Sequence, residues 1–434
     1  MKHTITYEAE EKQDETVSAF LMLVLEFASE IGLFGWLERL VKVKMKQVRY
    51  GLVNKAQTVI ASLVMGCANT KAINETLGDE IAAANYLGME RFPDQSQINR
   101  YLTRFSTANV DELGEVHAQL FMRQSQARRA AGLIVVDIDQ CGLVANGQTY
   151  EFKSKGYFPR KRGEEGYQLA AAFVGAYDET VQLYLDPGNR SCHHRLPALL
   201  RETDRLLAAD NPGVTLIRRL DAGYDSRANR QWLANLPGYF LLKSAQPDLA
   251  RQLAQTIPLQ DWWPVMEGVH GTELPPKDGL RRLLYALYQP DGHVEYSLLS
   301  TNLPVADFGV IRCFGFYNER QTIEAFFATS RQVYNIQNLR SRQFNAIYAF
   351  LRFVFLTHNL IHWTQHARFA QSDLEQVTTQ QLVLKVARVR APVSWDGRWH
   401  LFVLETSRWA TFLLDALKPR AIQLELPFAR LHKT

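Results

Sequence analysis

The stretch GLIVVDIDQCG, residues 132–142, decides how the rest of the chain is read. A continuous run of β-branched and aliphatic residues suits a central strand buried on both faces. Two aspartates, Asp137 and Asp139, sit near its C-terminal end. Side chains two positions apart on a strand share a face, so both can point the same way. Asp137 follows the apolar run directly and is the preferred functional acid, with Asp139 its rival.

Working toward the C-terminus, GYQLAAAFVGAYDETVQLYLDPGN (166–189) reads as two strands joined by a turn at Asp178–Glu179. The segment HHRLPALLRETDRLLAA (193–209) reads as a helix, and VTLIRRLDAGYDS (214–226) as a strand with Asp221 at its end. A helix after Ser226 and a strand YFLLKS (239–244) complete the alternation. The expected fold class is α/β, a mixed sheet with helices on both faces. In open sheets of this kind ligands gather at the carboxyl ends of strands, where Asp137 and Asp221 fall. From 245 to 312 the rhythm breaks. DWWPVMEGVHGTELPP is turn-rich and aromatic, and RRLLYALYQPDGHVEYSLLSTN reads as a hairpin around Asp291–Gly292, so this part is a β-rich insertion.

Beyond it lies YNERQTIEAFFATSR, residues 317–331. Read as one helix, it places Tyr317, Arg320, Glu324 and Arg331 on a single stripe, with Ile323, Phe326, Phe327 and Val333 opposite. Such a stripe is either a solvated face with Arg320–Glu324 as a weak i,i+4 pair, or a row of guanidinium forks for phosphate beside a carboxylate for a hard cation. A long buried helix follows over 341–369, then a hairpin over 385–406 with its turn at Asp396–Gly397. Residues 16 to 130 read as helical. They include a basic run (Lys42, Lys44, Lys46, Arg49, Lys55) and, over 70–106, short helices ending in a helix-turn-helix. Asp94 caps its last helix, with Gln97 as capping-box partner, and Gln95, Ser96, Gln97, Asn99, Arg100 and Arg104 face outward.

The 434 residues exceed one ordinary domain. Apolar residues make up 47%, ample for real cores, and the net charge of +4 points to no partner class by itself. Four scattered cysteines without a CxxC pair argue against zinc modules and disulfide frameworks and fit a reducing cytosol. The charged N-terminus has no signal-peptide pattern. The apolar runs around Glu26 and Arg352 are interrupted by those charges and read as too short to span a bilayer, so no membrane partner is expected.

Asp137, Asp221 and Glu324 lie far apart in the chain, and taken singly each aspartate is as readily a cap or turn residue. Taken together, VVDID, RRLDAGYDS and Tyr317-x₂-Arg320-x₃-Glu324-x₆-Arg331 resemble the DDE transposases of bacterial insertion sequences, in particular the group marked by a Tyr-Arg-Glu-Lys signature. The resemblance spans roughly residues 50–415 and departs at the last signature position, where Arg331 stands for Lys. It implies an RNase H-like core and an enzyme that cleaves transposon ends and transfers the strand into target DNA. By the same resemblance Asp137, Asp221 and Glu324 are catalytic and hold two Mg²⁺ (or Mn²⁺) ions, while Tyr317, Arg320 and Arg331 hold phosphates of the DNA end. The implied partners are double-stranded DNA, as terminal inverted repeats and target, and a second copy of the chain. The implied compartment is the bacterial cytoplasm, at the nucleoid. A structure-selective nuclease on the same core and a domesticated copy that only binds DNA are the competing classes.

Secondary signals complete the reading. Trp262 and Trp263 suit either packing or stacking on a flipped base. Lys153, Lys155, Arg160, Lys161 and Arg162 form a phosphate-tracking cluster or a plain solvated loop, and Arg100 is the helix-turn-helix candidate for DNA contact. His358, His362 and His366 recur every four residues but lack the context of known zinc motifs, and read as ordinary histidines. Cys192-His193-His194 carries no assigned role. The expected divisions are 1–130 (helical, DNA-binding and dimerising), 131–244 (core), 245–312 (insertion), 313–370 (core helices with Glu324) and 371–434 (hairpin and tail).

Overall fold

The computed structural model describes residues 15–46, 49–130, 132–156, 158, 163–190, 192–209, 211, 213–396 and 399–418. A two-residue strand β1 (Glu15–Thr16) precedes eight helices: α1 (Ala19–Glu30), α2 (Leu33–Leu40), α3 (Leu52–Val64), α4 (Lys71–Leu77), α5 (Ile81–Tyr86), α6 (Gln95–Leu102), α7 (Thr107–Gln124) and α8 (Gln126–Arg129). The alternating part follows as β2 (Leu133–Val144), β3 (Ser154–Lys155), β4 (Glu165–Val174), β5 (Glu179–Pro187), α9 (Cys192–Ala208), β6 (Thr215–Leu220), α10 (Arg227–Ala234), β7 (Tyr239–Lys243) and α11 (Pro247–Ala254). Then come β8 (Trp263–Met266), β9 (Val269–Lys277), β10 (Leu280–Tyr288) and β11 (Val294–Thr301), and the helices α12 (Val310–Asn318), α13 (Gln321–Gln332), α14 (Phe344–Phe369) and α15 (Thr379–Leu384). The described chain closes with β12 (Ala391–Trp395), β13 (Trp399–Leu401) and α16 (Arg408–Leu417).

One mixed sheet organises the molecule. Its strands run β3-β4-β2-β6-β7-β11-β10-β9-β8, with β5 also paired to β4. β2 is antiparallel to β4 and parallel to β6, and β6 is parallel to β7. The strands of 263–301 continue this sheet, because β11 pairs antiparallel with β7. Period-two alternation then sorts their side chains to two faces. Leu283 and Tyr285 of β10 pack against Cys313 and Tyr317 of α12, while Leu284 packs with Ala250 of α11.

Helix α14 is apolar all round, and such a helix has to be buried. It is the one described helix long and apolar enough to cross a membrane, and most of it is enclosed by the fold. The sequence reading of its apolar run as too short therefore fails on length: Arg352 does not end the helix. It is buried with its guanidinium on the Gln182 side chain. Asn359 of the same helix accepts from the Thr180 N–H (2.8 Å) and donates to the Thr180 carbonyl (2.7 Å), which splices α14 to β5.

The helical first part is tied to the sheet by a buried carboxylate. Glu179 accepts from Ser125 Oγ (2.6 Å), the Gln126 N–H (2.7 Å) and Trp363 Nε1 (2.8 Å). Asp94 caps α6 as its sequence suggests, accepting from the N–H groups of Ser96 (2.7 Å) and Gln97 (3.1 Å).

His117 of α7 is buried at this junction, where Asn359 Nδ2 donates to its Nε2 at 2.9 Å. Burial, aided by the Arg352 charge, pulls its pKa from 6.5 down to about 3. Because the folded pKa is depressed, the unfolded chain takes up this proton first. The neutral histidine's contribution is therefore full above pH 6.5 and is lost as the pH falls from there through about 3. Chemical denaturation as a function of pH should show this decline, and His117→Gln should flatten it.

Candidate active site and nucleic-acid interface

The period of β2 places Asp137 and Asp139 on one face, the face covered by α13. Their surroundings differ. Asp137 is fully buried, and in the parallel β2–β6 register it stands opposite Arg219. The Arg219 guanidinium grips it two-pronged, Nε to Oδ1 at 2.6 Å and Nη2 to Oδ2 at 2.9 Å, and Thr322 Oγ1 of α13 donates to Oδ2 at 2.7 Å. Both of its oxygens accept from protein donors. The sequence preferred Asp137 over Asp139; the geometry places Asp137 as a buried clamp and sets Asp139 on the Arg320 guanidinium with Asp221 and Glu324.

Asp139 is the acid that turns to the opening. Arg320 Nη1 lies 2.8 Å from Asp139 Oδ2, and Arg320 Nη2 lies 2.6 Å from Glu324 Oε1 and 3.9 Å from Asp221 Oδ1. One guanidinium thus touches three carboxylates brought from β2, the end of β6 and the first turn of α13. Its own side chain is 9% exposed and that of Asp139 14%, against 40% for Asp221 and 55% for Glu324, so Asp221 and Glu324 rim an opening with the cation and Asp139 beneath them. Asp221 follows β6 and opens a 3₁₀ turn, Ala222–Tyr224, whose buried Tyr224 donates its hydroxyl to the Asp139 carbonyl at 3.2 Å.

Burial pushes the Asp139 carboxyl up, and the nearby Asp221 charge adds to this, although Arg320 opposes both. Burial also pulls the Arg320 guanidinium down, but Asp139 and its other neighbours more than offset that and raise it. The pair therefore leaves Asp139 short of positive charge. Arg320 Nε and Nη1 are buried without an aligned hydrogen-bond acceptor, so the guanidinium fits this space by charge rather than by shape. An all-oxygen set of three carboxylates around a buried positive charge suits a hard divalent cation.

The single helix expected over 317–331 is broken at Glu319–Arg320, between α12 and α13. Arg320 still lies beside Glu324 and 5.9 Å from the Tyr317 ring, but it is buried among the acids instead of lying on an outer face. Tyr317 is buried in the apolar cluster beneath β10 and β11, its hydroxyl 3.5 Å from the Leu220 carbonyl. Arg331 is exposed in the last turn of α13, with Nη2 3.0 Å from Cys141 Sγ. Helix α13 is held by Phe326, which stacks on Phe173 (5.0 Å between centroids) and meets Phe355 edge-on (5.2 Å), a buried contact worth about 2–3 kcal/mol. Gly175 completes the dock, since a Cβ there would collide with the Thr322 hydroxyl.

The chain matches the family described as Transposase DDE domain group 1 over residues 14–418. The chain belongs to that family. No curated protein matches it. Among solved structures it is similar to the Drosophila P element transposase strand transfer complex, at 14% identity and TM-score 0.25 over 54% of this chain and 49% of that one. It is also similar to the Mos1 transposase paired-end complex with left transposon end, at 14% identity and TM-score 0.17 over 44% of this chain and 58% of that one. The chain thus spans about half the length of the first of these.

The other residues expected to meet DNA are scattered over this family member. Arg100 is exposed on α6, folded back on Ser96, and shares a cavity of about 290 Å³ with Lys46, Arg49 and Gln97. The basic run and the helix-turn-helix therefore converge, although Lys55 is buried and donates to the Tyr50 carbonyl rather than to solvent. Lys153 pairs with Glu165 at 2.6 Å, and Lys155 is exposed. Arg160, Lys161 and Arg162 lie outside the described residues. Trp262 packs on the cluster under α11, whereas Trp263 is 63% exposed on β8.

Sequence reasoning missed Arg219 and Thr322 altogether and ranked Asp139 second. The available signal was the spacing of Arg219 and Asp221 around Leu220: an Arg opposite the first aspartate of VDID neutralises it. Asp137→Ala should leave Arg219 charged and buried with only the Phe316 carbonyl (2.6 Å) and the exposed Glu319 (3.1 Å) as partners, at a cost of up to about 3–5 kcal/mol in urea denaturation, whereas Asp139→Asn should cost much less.

Proposed function

We propose that this chain is a transposase of the bacterial insertion-sequence type that cuts the ends of its element and joins them to target DNA, with Asp139, Asp221 and Glu324 as the acidic triad. The observation that carries this reading is the Arg320 guanidinium in contact with all three carboxylates. The mixed sheet, with one acid on β2, a second just past the end of the parallel neighbour β6 and the third on a covering helix, supports an RNase H-like core. The three acids would hold Mg²⁺ or Mn²⁺, and two such ions supply an activated water or 3′-hydroxyl and stabilise the leaving oxygen.

The chain's own residues do the rest. Asp137, gripped by Arg219 and Thr322, fixes the strand and the helix that carry Asp139 and Glu324. Arg320 leaves its place among the acids when they are neutralised, and its fork is then free for a phosphate of the DNA end, with Arg331 in place of the usual Lys as a second contact. Trp263 is the better of the two tryptophans for stacking on an extruded base, because its ring is open to solvent. Arg100 and the neighbouring basic residues would engage the end sequences. A homodimer in the bacterial cytoplasm would hold two ends together.

With a labelled element end and Mg²⁺, Asp139→Asn and Glu324→Gln should abolish cleavage while leaving end binding within a few fold of the parent chain. Equal loss of binding and cutting, or full activity of Asp139→Asn, would overturn the assignment. Arg100→Ala should weaken end binding and lower its dependence on salt by about one phosphate contact.

A further inference from the structure

Behind α13, on the side away from Glu324, three groups that the proposed reaction does not use come together. Asp178 sits in the turn between β4 and β5 with φ of 50°. His358 and His362 lie one turn apart on α14, their rings 4.7 Å apart. His358 Nε2 is 3.2 Å from Asp178 Oδ1 and 3.1 Å from the Asp178 carbonyl. His362 Nε2 is 2.7 Å from Asp178 Oδ2 and 2.6 Å from Thr379 Oγ1. One donor atom from each of Asp178, His358 and His362 falls within 4.8 Å of the others.

A nitrogen that carries one hydrogen serves one acceptor well, yet each of these Nε2 atoms faces two oxygens. Lone pairs from both imidazoles and the carboxylate aimed at one point remove that conflict. Tetrahedral bonds of the zinc–nitrogen and zinc–oxygen length separate neighbouring donors by about 3.3 Å, inside the 4.8 Å within which the three donor atoms fall. His358 is fully buried and its Nδ1 lies 3.4 Å from the Tyr334 hydroxyl, a partner that orients the ring with Nε2 inward. Two imidazoles with one carboxylate suit a borderline ion such as Zn²⁺ and not Mg²⁺ or Ca²⁺.

We propose that Asp178, His358 and His362 form a structural Zn²⁺ site, with Thr379 Oγ1 or a water as the fourth ligand. The ion would pin three elements that are remote in the chain: the β4–β5 turn, α14 and the start of α15. A cavity of about 550 Å³ beside the cluster is lined by Thr322, Ala325, Phe326 and Thr329, the back of the helix that presents Glu324. The site therefore braces the floor on which α13 rests and takes no part in the reaction.

The test uses the full chain, purified without an affinity metal, and elemental analysis for zinc. The chelator-stripped chain is then titrated with Co²⁺, followed by visible absorption. Expected are one zinc per chain and Co²⁺ bands of four-coordinate intensity that saturate at one equivalent. Zn²⁺ should also raise the melting temperature of the stripped chain by about 4 °C or more. Asp178→Asn and the partly exposed His362→Gln should each weaken Co²⁺ binding about tenfold or more, whereas Glu324→Gln should leave it unchanged. Absence of Co²⁺ bands in the stripped parent chain overturns the site and leaves a metal-free hydrogen-bonded cluster. Parent-like binding by both variants also overturns it. Loss of DNA cleavage by Glu324→Gln with zinc retained keeps this result separate from the fate of the proposed reaction.

Discussion

The two-residue period of a single strand sets the terms for the whole site. It puts Asp137 and Asp139 on the same face of β2, and the parallel register with β6 puts Arg219 against the first of them. That guanidinium gives Nε and Nη2 to Asp137 and Nη1 to the Phe316 carbonyl and Glu319, and so has no prong left for Asp139. Asp137 is thereby neutralised and sealed, and Asp139, two residues on, is left with the Arg320 charge and the opening. Two chemically identical side chains acquire different roles from one register.

The helix that brings Glu324 is positioned just as tightly, from its other face. Phe326 locks into the aromatic cluster with Phe173 and Phe355, Thr322 reaches the sealed Asp137, and Gly175 leaves the space that this approach needs. A helix held at its buried face keeps a polar residue on the exposed face in place. The Asp178–His358–His362 cluster sits under this same support. That is why a brace there bears on the geometry of the acids without touching them.

Charge balance accounts for the remaining feature. Three carboxylates around one guanidinium leave the group net negative, and burial pushes the Asp139 carboxyl up in spite of its partner. Additional positive charge is what this arrangement lacks, and divalent cations are the simplest supply. The basic residues of the helical first part lie elsewhere, around the cavity shared by Lys46, Arg49 and Arg100. On the proposed function, recognition of a polyanion and chemistry on it would fall on separate surfaces.

Much of the architecture was legible from pattern alone. The apolar run of β2, the hairpin at Asp178–Glu179, the hairpin at Asp291–Gly292, the Asp94 cap and the all-round apolar α14 follow from local periodicity and turn chemistry, which act over a few residues. So did the three regions of sequence that carry the acids. What local pattern could not decide was which aspartate of VDID faces outward, because residues two apart on a strand are equivalent until a neighbouring strand supplies Arg219. Nor could it show the break at Glu319–Arg320, the burial of Arg320 among the acids, the burial of Lys55 and Tyr317, or the difference between Trp262 and Trp263. His358 and His362 looked ordinary on their own helix, since the carboxylate that joins them, Asp178, belongs to a turn in another part of the chain. Sequence determined which elements form and which charged groups they carry. Only the tertiary structure decided which of those charges meet, because each meeting depends on strand register and helix docking between segments that share no local pattern.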